Sequence, residues 1–274
     1  MNLRNVRDLL EEKGYKSEVT NYDVERLVVL TESECNPTLV IESLEKMSVD
    51  KTDEEVVEFI LSVINEEKPD YQSMLDILKN PEEIKKHLQL CLLPKHNPNL
   101  VCEPFLDLYK GVRVSVDGMS VKVTNVMLEV AGLTREEVFE IAEKRAREKI
   151  AICNMSDFSF LLDGFNFKSV EEIEIDNDDD TPLMLTLSNL NQCYGAAAIV
   201  FDDVLEMIRE KLGCDYYILP SSIHEVIVLK AFNADTDEIN NMITEINETQ
   251  VDPRERLSNH FYIYSKEKGL HYIQ

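Results

Sequence analysis

Apolar residues recur along this chain with two spacings, one helical and one of strands, and the chain can be divided by where each holds. Leu3, Val6, Leu9 and Leu10 lie at helical spacing before Gly14, which predicts a short opening helix over residues 2–13. Residues 15–21, 24–31 with the run Leu27-Val28-Val29-Leu30, and 38–41 after Pro37 then read as strands of a small antiparallel sheet. Thr52-Asp53-Glu54-Glu55 is a capping-box sequence, in which hydroxyl and carboxylate each satisfy a free amide of the first turn. It opens a helix to about Glu66 with Val56, Val57, Ile60, Leu61 and Ile64 inward. Pro69-Asp70 breaks the pattern before a helix over 71–78, and Asn80-Pro81 starts another turn. Residues 88–93 are too short an apolar run for periodicity to choose between helix and strand.

Residues 105–109 and 112–116 read as extended, Asp117-Gly118 is a hairpin turn signal, and 119–123 returns antiparallel. A short helix runs from Asn125 to near Gly132. A second capping box, Thr134-Arg135-Glu136-Glu137, opens a helix to about Lys149 with Val138, Ile141, Ala142 and Ala146 inward. The pattern weakens over residues 150–181. There Asp176-Asn177-Asp178-Asp179-Asp180 must stay in water, and it lacks the glycine and distal glutamate of a calcium loop. A strand at 184–187 leads into residues 194–229, the centre of the C-terminal part. This stretch reads as a strand at 196–201, a helix from Asp202 or Asp203 to Gly213, a strand at 216–219, a polar corner and a further strand. A helix with Ile239, Met242, Ile243 and Ile246 inward and a closing hairpin complete the chain. The expected fold class is α+β, with mixed, mainly antiparallel sheets, packed helices and a C-terminal β-α-β-β-α-β-β unit. The expected division is an N-terminal portion at 1–150, a connecting region at 151–181 and a C-terminal domain at 182–274.

Charge narrows the functional classes. Asp and Glu number 53 against 28 Lys and Arg, a formal net charge of −25, which repels nucleic-acid backbones and anionic lipid. Direct nucleic-acid or membrane binding is therefore not expected. An acidic mimic of nucleic acid is a remote alternative that needs carboxylates in a phosphate-like stripe. No apolar run reaches the roughly 20 residues of a membrane span, and the N-terminus has charges where a signal peptide is apolar. With six cysteines scattered among apolar neighbours and no Cys-x-x-Cys pair, reduced thiols and a cytoplasmic location are expected.

Phosphate-cradling, zinc-protease and serine-hydrolase signatures are absent, and the histidines His87, His96, His260 and His271 show no metal-ligand spacing, so neither cofactor nor metal is expected. Chemically capable side chains crowd only at Ser221-Ser222-Ile223-His224-Glu225. In an extended segment Ser222 and His224 share a face and Glu225 points the other way, so a triad needs a carboxylate from elsewhere, such as Asp107 or Glu103. The leading expectation is a non-enzymatic binding or interaction protein, for an unidentified protein or small molecule. Its binding residues would be Asn189, Tyr194, Ser221, Ser222, His224 and Glu225. The alternative is a hydrolase with His224 as base and Ser221 or Ser222 as nucleophile. Tyr216, Tyr217, Tyr262 and Tyr264 lie in the same region and read as core packing.

Several segments also resemble a bacterial family catalogued as domain of unknown function family 5688, common in Firmicutes, with YtpQ-like proteins as distant kin. They are Tyr194-Gly195-Ala196-Ala197, residues 218–227, Asn247-Glu248-Thr249-Gln250-Val251 and Leu257-Ser258-Asn259-His260 followed by Tyr262. Phe105-Leu106-Asp107-Leu108 and Leu133-Thr134-Arg135-Glu136-Glu137 fit as well, and Pro37 to Glu42 more loosely. Leu185-Thr186-Leu187-Ser188-Asn189 keeps the family's Asn at 189 but departs in the strand side chains. The resemblance implies a bacterial, cytoplasmic protein. It carries no assigned activity and so brings over no catalytic residue.

Overall fold

The computed structural model describes residues 1–21, 25–31, 38–65, 71–116, 118–155, 166–175, 183–220, 222–231 and 236–272. Pro37, the Asp117 half of the hairpin turn, the acidic run 176–180 and Ser221 lie outside the described residues. Chain contacts form two compact units, Met1–Tyr71 with Asp252–Arg254, and Gln72–Val251 with Glu255–Gln274.

The first unit holds α1 (Leu3–Glu12), β1 (Lys16–Asn21), β2 (Glu25–Leu30), β3 (Thr38–Val40), α2 (Ile41–Met47) and α3 (Asp53–Asn65). The strands form the expected antiparallel sheet in the order β1-β2-β3. Period-2 alternation puts Leu27 and Val29 on one face, where they join Val6 and Leu10 of α1 and Val56, Val57 and Ile60 of α3. The α3 capping box forms as expected: the Thr52 hydroxyl accepts from the Glu55 amide at 3.3 Å, and the Glu55 carboxylate accepts from the Thr52 amide at 2.8 Å. Helix α2 has no counterpart in the sequence expectation, because seven residues hold too few turns to show a period.

The second unit carries the site. It begins with helices α4 (Tyr71–Leu78) and α5 (Pro81–His87) and a four-stranded sheet of β4 (Leu88–Leu93), β5 (Cys102–Phe105), β6 (Leu108–Val116) and β7 (Met119–Lys122). Strand β6 is central, with β4 on one edge and β5 then β7 on the other, all antiparallel. Residues 88–93 are a strand. The run shows no clear alternation because both its faces are covered: Leu88, Leu90 and Leu92 enter the main core, while Cys91 and Leu93 pack with Cys102 on the reverse side.

Helices α6 (Asn125–Ala131) and α7 (Arg135–Arg147) follow, the latter with its capping box formed by Thr134 and Glu137. A six-stranded antiparallel sheet is then built from β8 (Ile150–Asn154), β9 (Met184–Asn189), β10 (Tyr216–Leu219), β11 (Val226–Lys230), β12 (Tyr262–Ser265) and β13 (Gly269–His271), in the order β13-β12-β10-β11-β9-β8. One face shares the main core with β4, β6, α7 and α8 (Asp202–Leu212). The other is covered by Ile239 and Ile243 of α9 (Thr236–Gln250). The fold is α+β, with mainly antiparallel sheets.

One expectation is corrected here. Residues 196–201 are not a strand: Gly195–Val200 is a 3-10 helix, buried from Gly195 to Ile199. A run buried on all sides shows no period, and three consecutive alanines with Gly195 let the backbone lie against β9 more closely than larger side chains would allow. The opening strand of the C-terminal unit is β9 instead. The division of the chain falls near Tyr71, and the strands on either side of residues 151–181, β8 and β9, pair from Ile150↔Asn189 to Asn154↔Leu185. Four buried residues in β8 were too few to register as a pattern.

Candidate functional site

The site is built where β9 ends. Asn189 closes a tight turn on itself: its Oδ1 accepts from the amides of Asn191 at 2.9 Å and Cys193 at 3.4 Å, and its Nδ2 donates to the Cys193 carbonyl at 2.8 Å. Asn favours such side-chain-to-backbone turns because its carboxamide mimics a peptide group. Gln192 (φ 52°) and Tyr194 (φ 57°) both adopt the left-handed conformation, which disfavours side chains with a Cβ by roughly 1–2 kcal/mol and must be offset by contacts.

Those contacts converge on Tyr194. Its amide donates to His224 Nδ1 at 3.2 Å, its ring packs on the Arg113 guanidinium at 4.0 Å, and the His224 ring lies 5.3 Å away. Strand pairing supplies the floor, because Gln89 of β4 is directly opposite Arg113 of β6. Gln89 Nε2 donates to the Cys193 carbonyl at 2.7 Å, and Arg113, 8% exposed, donates from Nε to the Ser120 hydroxyl. A buried guanidinium over an aromatic face gains up to about 2 kcal/mol from the ring quadrupole.

The corner between β10 and β11 seats the other side of the turn. The His224 carbonyl accepts from the Gly195 amide at 2.9 Å and from the Ser188 hydroxyl at 2.7 Å. The Ile223 amide donates to the Glu255 carbonyl at 2.8 Å. The corner is therefore held by its backbone on both sides, and the alternation expected of an extended segment does not apply. Ser222 Oγ accepts from the His224 amide at 2.9 Å, a local serine turn. Ser222 and His224 both act on the Glu225 carboxyl, a correction to the expectation that it points away from them.

Neither anticipated outside carboxylate reaches His224. Asp107 accepts from the Tyr262 hydroxyl at 2.6 Å and the Ser258 hydroxyl at 2.8 Å, and Glu103 pairs with Lys110 at 2.6 Å. Glu255 meets His224 instead, its Oε1 3.4 Å from Nε2. Since Nδ1 accepts from the Tyr194 amide, the proton of the neutral ring belongs on Nε2, facing that carboxylate.

Burial pushes the Glu225 carboxyl above its ordinary value, opposed by the nearby His224 and the Ser222 hydroxyl. A carboxyl raised in the folded state makes its contribution at low pH and loses it as pH rises through the folded value. Glu225→Gln removes that loss, so its thermal stability relative to the parent is expected to improve between pH 4 and pH 7. A constant offset in melting temperature across that range would show that Glu225 is not the group responsible.

Beside the turn lies a cavity of about 100 Å³. Asn189 and Tyr194 line it, as do Gln89, His87, Arg145 and Lys149, whereas Ser222, His224 and Glu225 do not. The structure thus separates the expected binding residues into a cavity wall, Asn189 and Tyr194, and a corner that positions it. Gln89, Arg113, Ser188 and Glu255 were missed. The one signal available was Arg113, a lone cation inside the apolar run Val112-Arg113-Val114.

The described cysteines Cys91, Cys102, Cys153, Cys193 and Cys214 are in no disulfide, and burial pushes the Cys91 thiol up to about 11. That leaves it protonated and inert at neutral pH. Tyr216, Tyr262 and Tyr264 are core residues, with phenols bonded to the Leu205 carbonyl, Asp107 and Asp202 respectively. Among the described residues no group of His, Cys, Asp or Glu is placed to hold a metal ion, and no helix is long and apolar enough to cross a membrane.

Fold and site together define an α+β protein with a small cavity of mixed polar and apolar lining at the end of a six-stranded antiparallel sheet. The chain belongs to the family of unknown function DUF5688, whose model matches residues 15–266. No curated protein and no solved structure matches it.

Proposed function

We propose that this is a non-enzymatic binding protein of the bacterial cytoplasm, and that it takes a small molecule in the cavity walled by Asn189 and Tyr194. The observation that carries this reading is the turn itself. Two left-handed non-glycine residues, a self-bonded asparagine and a stacked Arg113–Tyr194 pair hold Tyr194 at the cavity wall. Backbone strain of this kind clusters at ligand sites, where the surrounding structure over-determines it. The described cysteines, none of them in a disulfide, favour a reducing compartment.

Hydrolysis at the corner has less support. A catalytic base needs a free nitrogen towards its nucleophile, yet one His224 nitrogen takes the Tyr194 amide and the other faces Glu255. The Ser222 hydroxyl oxygen is engaged by the His224 amide. Nucleic-acid mimicry has less support still, because carboxylates are interleaved with cations in pairs such as Lys86–Glu83 and Arg209–Glu206.

Hydrogen exchange tests the reading. With a panel of sugar phosphates, amino acids, nucleotides and neutral sugars at millimolar concentration, at least one class is expected to slow exchange of the amides at 191–198 and raise the melting temperature. If no class protects that segment, the cavity is a packing defect and the reading fails.

A further inference from the structure

We propose that the cavity binds a phosphate monoester, with Arg145 and Lys149 as its cations and His87 beside them; this deepens the binding reading above and rests on it. The lining carries two permanent cations and a histidine but no carboxylate. Asp and Glu make up 53 of 274 residues, about one in five, so a lining of 16 residues drawn at the chain's composition would include about three. A cation-only wall in a chain of net charge −25 is a local inversion of the protein's field.

The cations are also uncommitted. Elsewhere in this unit basic side chains meet acids: Arg147 pairs with Asp203 at 2.8 Å, Lys110 with Glu103 at 2.6 Å, and Lys85 with Glu82 at 3.1 Å. Arg145 and Lys149 have no carboxylate partner among the described residues. Arg145 lies in the last turn of α7 and Lys149 in the turn just beyond it, and both line the cavity. His87 comes from the end of α5 and brings an imidazole to the same cavity. Basic residues also complement a helix C-terminus. That tendency does not explain why both cations, and no carboxylate, line this one cavity.

Neutral donors divide in a way that fits. Gln89 and Asn189 are occupied with the Cys193 carbonyl and hold the turn. The hydroxyls of Ser115 and Tyr194 and the carboxamide of Asn191 remain available at the wall. A guanidinium fork, an ammonium and hydroxyl donors match a tetrahedral oxyanion. Charge and size then select the class. Two permanent cations balance a dianion, which a phosphate monoester becomes above its second pKa of about 6, whereas a single carboxylate leaves one cation unmatched. A cavity of about 100 Å³ is smaller than the roughly 300 Å³ at which sites for drug-sized ligands begin. The phosphoryl group with a few carbons fits that volume, and a nucleotide does not.

Calorimetric titration with glycerol 3-phosphate and inorganic phosphate, with malonate as the dicarboxylate comparison and glycerol as the neutral one, tests this. Saturable binding of glycerol 3-phosphate is expected, weakening with salt and falling at least tenfold in Arg145→Ala and in Lys149→Ala. Lys149 is exposed, so its variant keeps the fold even if Arg145→Ala does not. Lys86→Ala, an exposed cation already paired with Glu83, is expected to bind as the parent does. Tighter binding of malonate than of either phosphate overturns the assignment, as does binding that survives in the Arg145→Ala/Lys149→Ala double variant. Protection of residues 191–198 by neutral sugars or amino acids, without phosphate binding, sinks the phosphate inference and leaves the binding reading standing. Protection by no compound sinks both.

Discussion

Gly195→Ala is expected to destabilise the second unit by about 3 kcal/mol or more, the upper end of what overpacking a filled interior costs. A Cβ built at Gly195 lies 2.2 Å from Ser188 Oγ, 2.5 Å from the Asn189 amide nitrogen and 2.8 Å from the His224 carbonyl oxygen. None of the three can withdraw cheaply. Ser188 is 0% exposed and its hydroxyl is held on the His224 carbonyl, and the other two atoms are backbone of β9 and of the corner. The methyl group must instead push the 3-10 helix off the sheet, breaking the Gly195 amide bond to His224 and displacing Tyr194 from its histidine. For a unit of this size that corresponds to a fall in melting temperature of roughly 6–12 °C. The chain has no tryptophan, so tyrosine near-ultraviolet circular dichroism is the appropriate readout. A loss below about 0.5 kcal/mol would mean that the turn does not hold the close approach described.

Asp107→Ala is the second large effect, at about 3 kcal/mol. Asp107 sits in the turn between β5 and β6 and accepts hydrogen bonds from Tyr262 and Ser258, so it ties the four-stranded sheet to the six-stranded one. Tyr262 is 0% exposed, and burial together with the bond to Asp107 keeps its phenol protonated far above the ordinary range. Removing the carboxylate strands that hydroxyl in the core, where a lost bond to a charged partner costs about 1.5–3 kcal/mol. Tyr262→Phe removes the donor instead and is expected to cost about half as much, since Asp107 keeps Ser258. In a double-mutant cycle by urea unfolding, a coupling of about 1–2 kcal/mol is expected between the two positions. Additivity within about 0.3 kcal/mol would show that the pair contributes nothing specific.

These two positions show what was legible in the chain and what was not. Helix α7 was readable because Thr134 and Glu137 form a local box, and the β6–β7 hairpin because its turn residues report backbone geometry directly. Strand β4 stayed ambiguous and the 3-10 helix was misread for the opposite reason. Both are buried on every side, which erases the alternation that a one-sided element shows. At the site, Asn189 and Tyr194 stood out through the family resemblance. Gln89 and Arg113 did not, because Gln89 meets the turn across 104 residues and no spacing rule spans that distance.

By itself the sequence determined the α+β class, most element positions, the family and the acidic surface, since each depends on neighbours within a few residues or on summed charge. Only the tertiary structure decided that His224 faces Glu255 and the Tyr194 amide, and that the Ser222 hydroxyl serves a turn. It also placed Arg145, Lys149 and His87, and no carboxylate, around one cavity. Side-chain chemistry depends on what strand pairing and helix packing bring within about 3–4 Å, and those partners are remote in sequence. The same corner residues that read as a catalytic cluster along the chain are, once folded, hydrogen-bonded to a neighbouring turn.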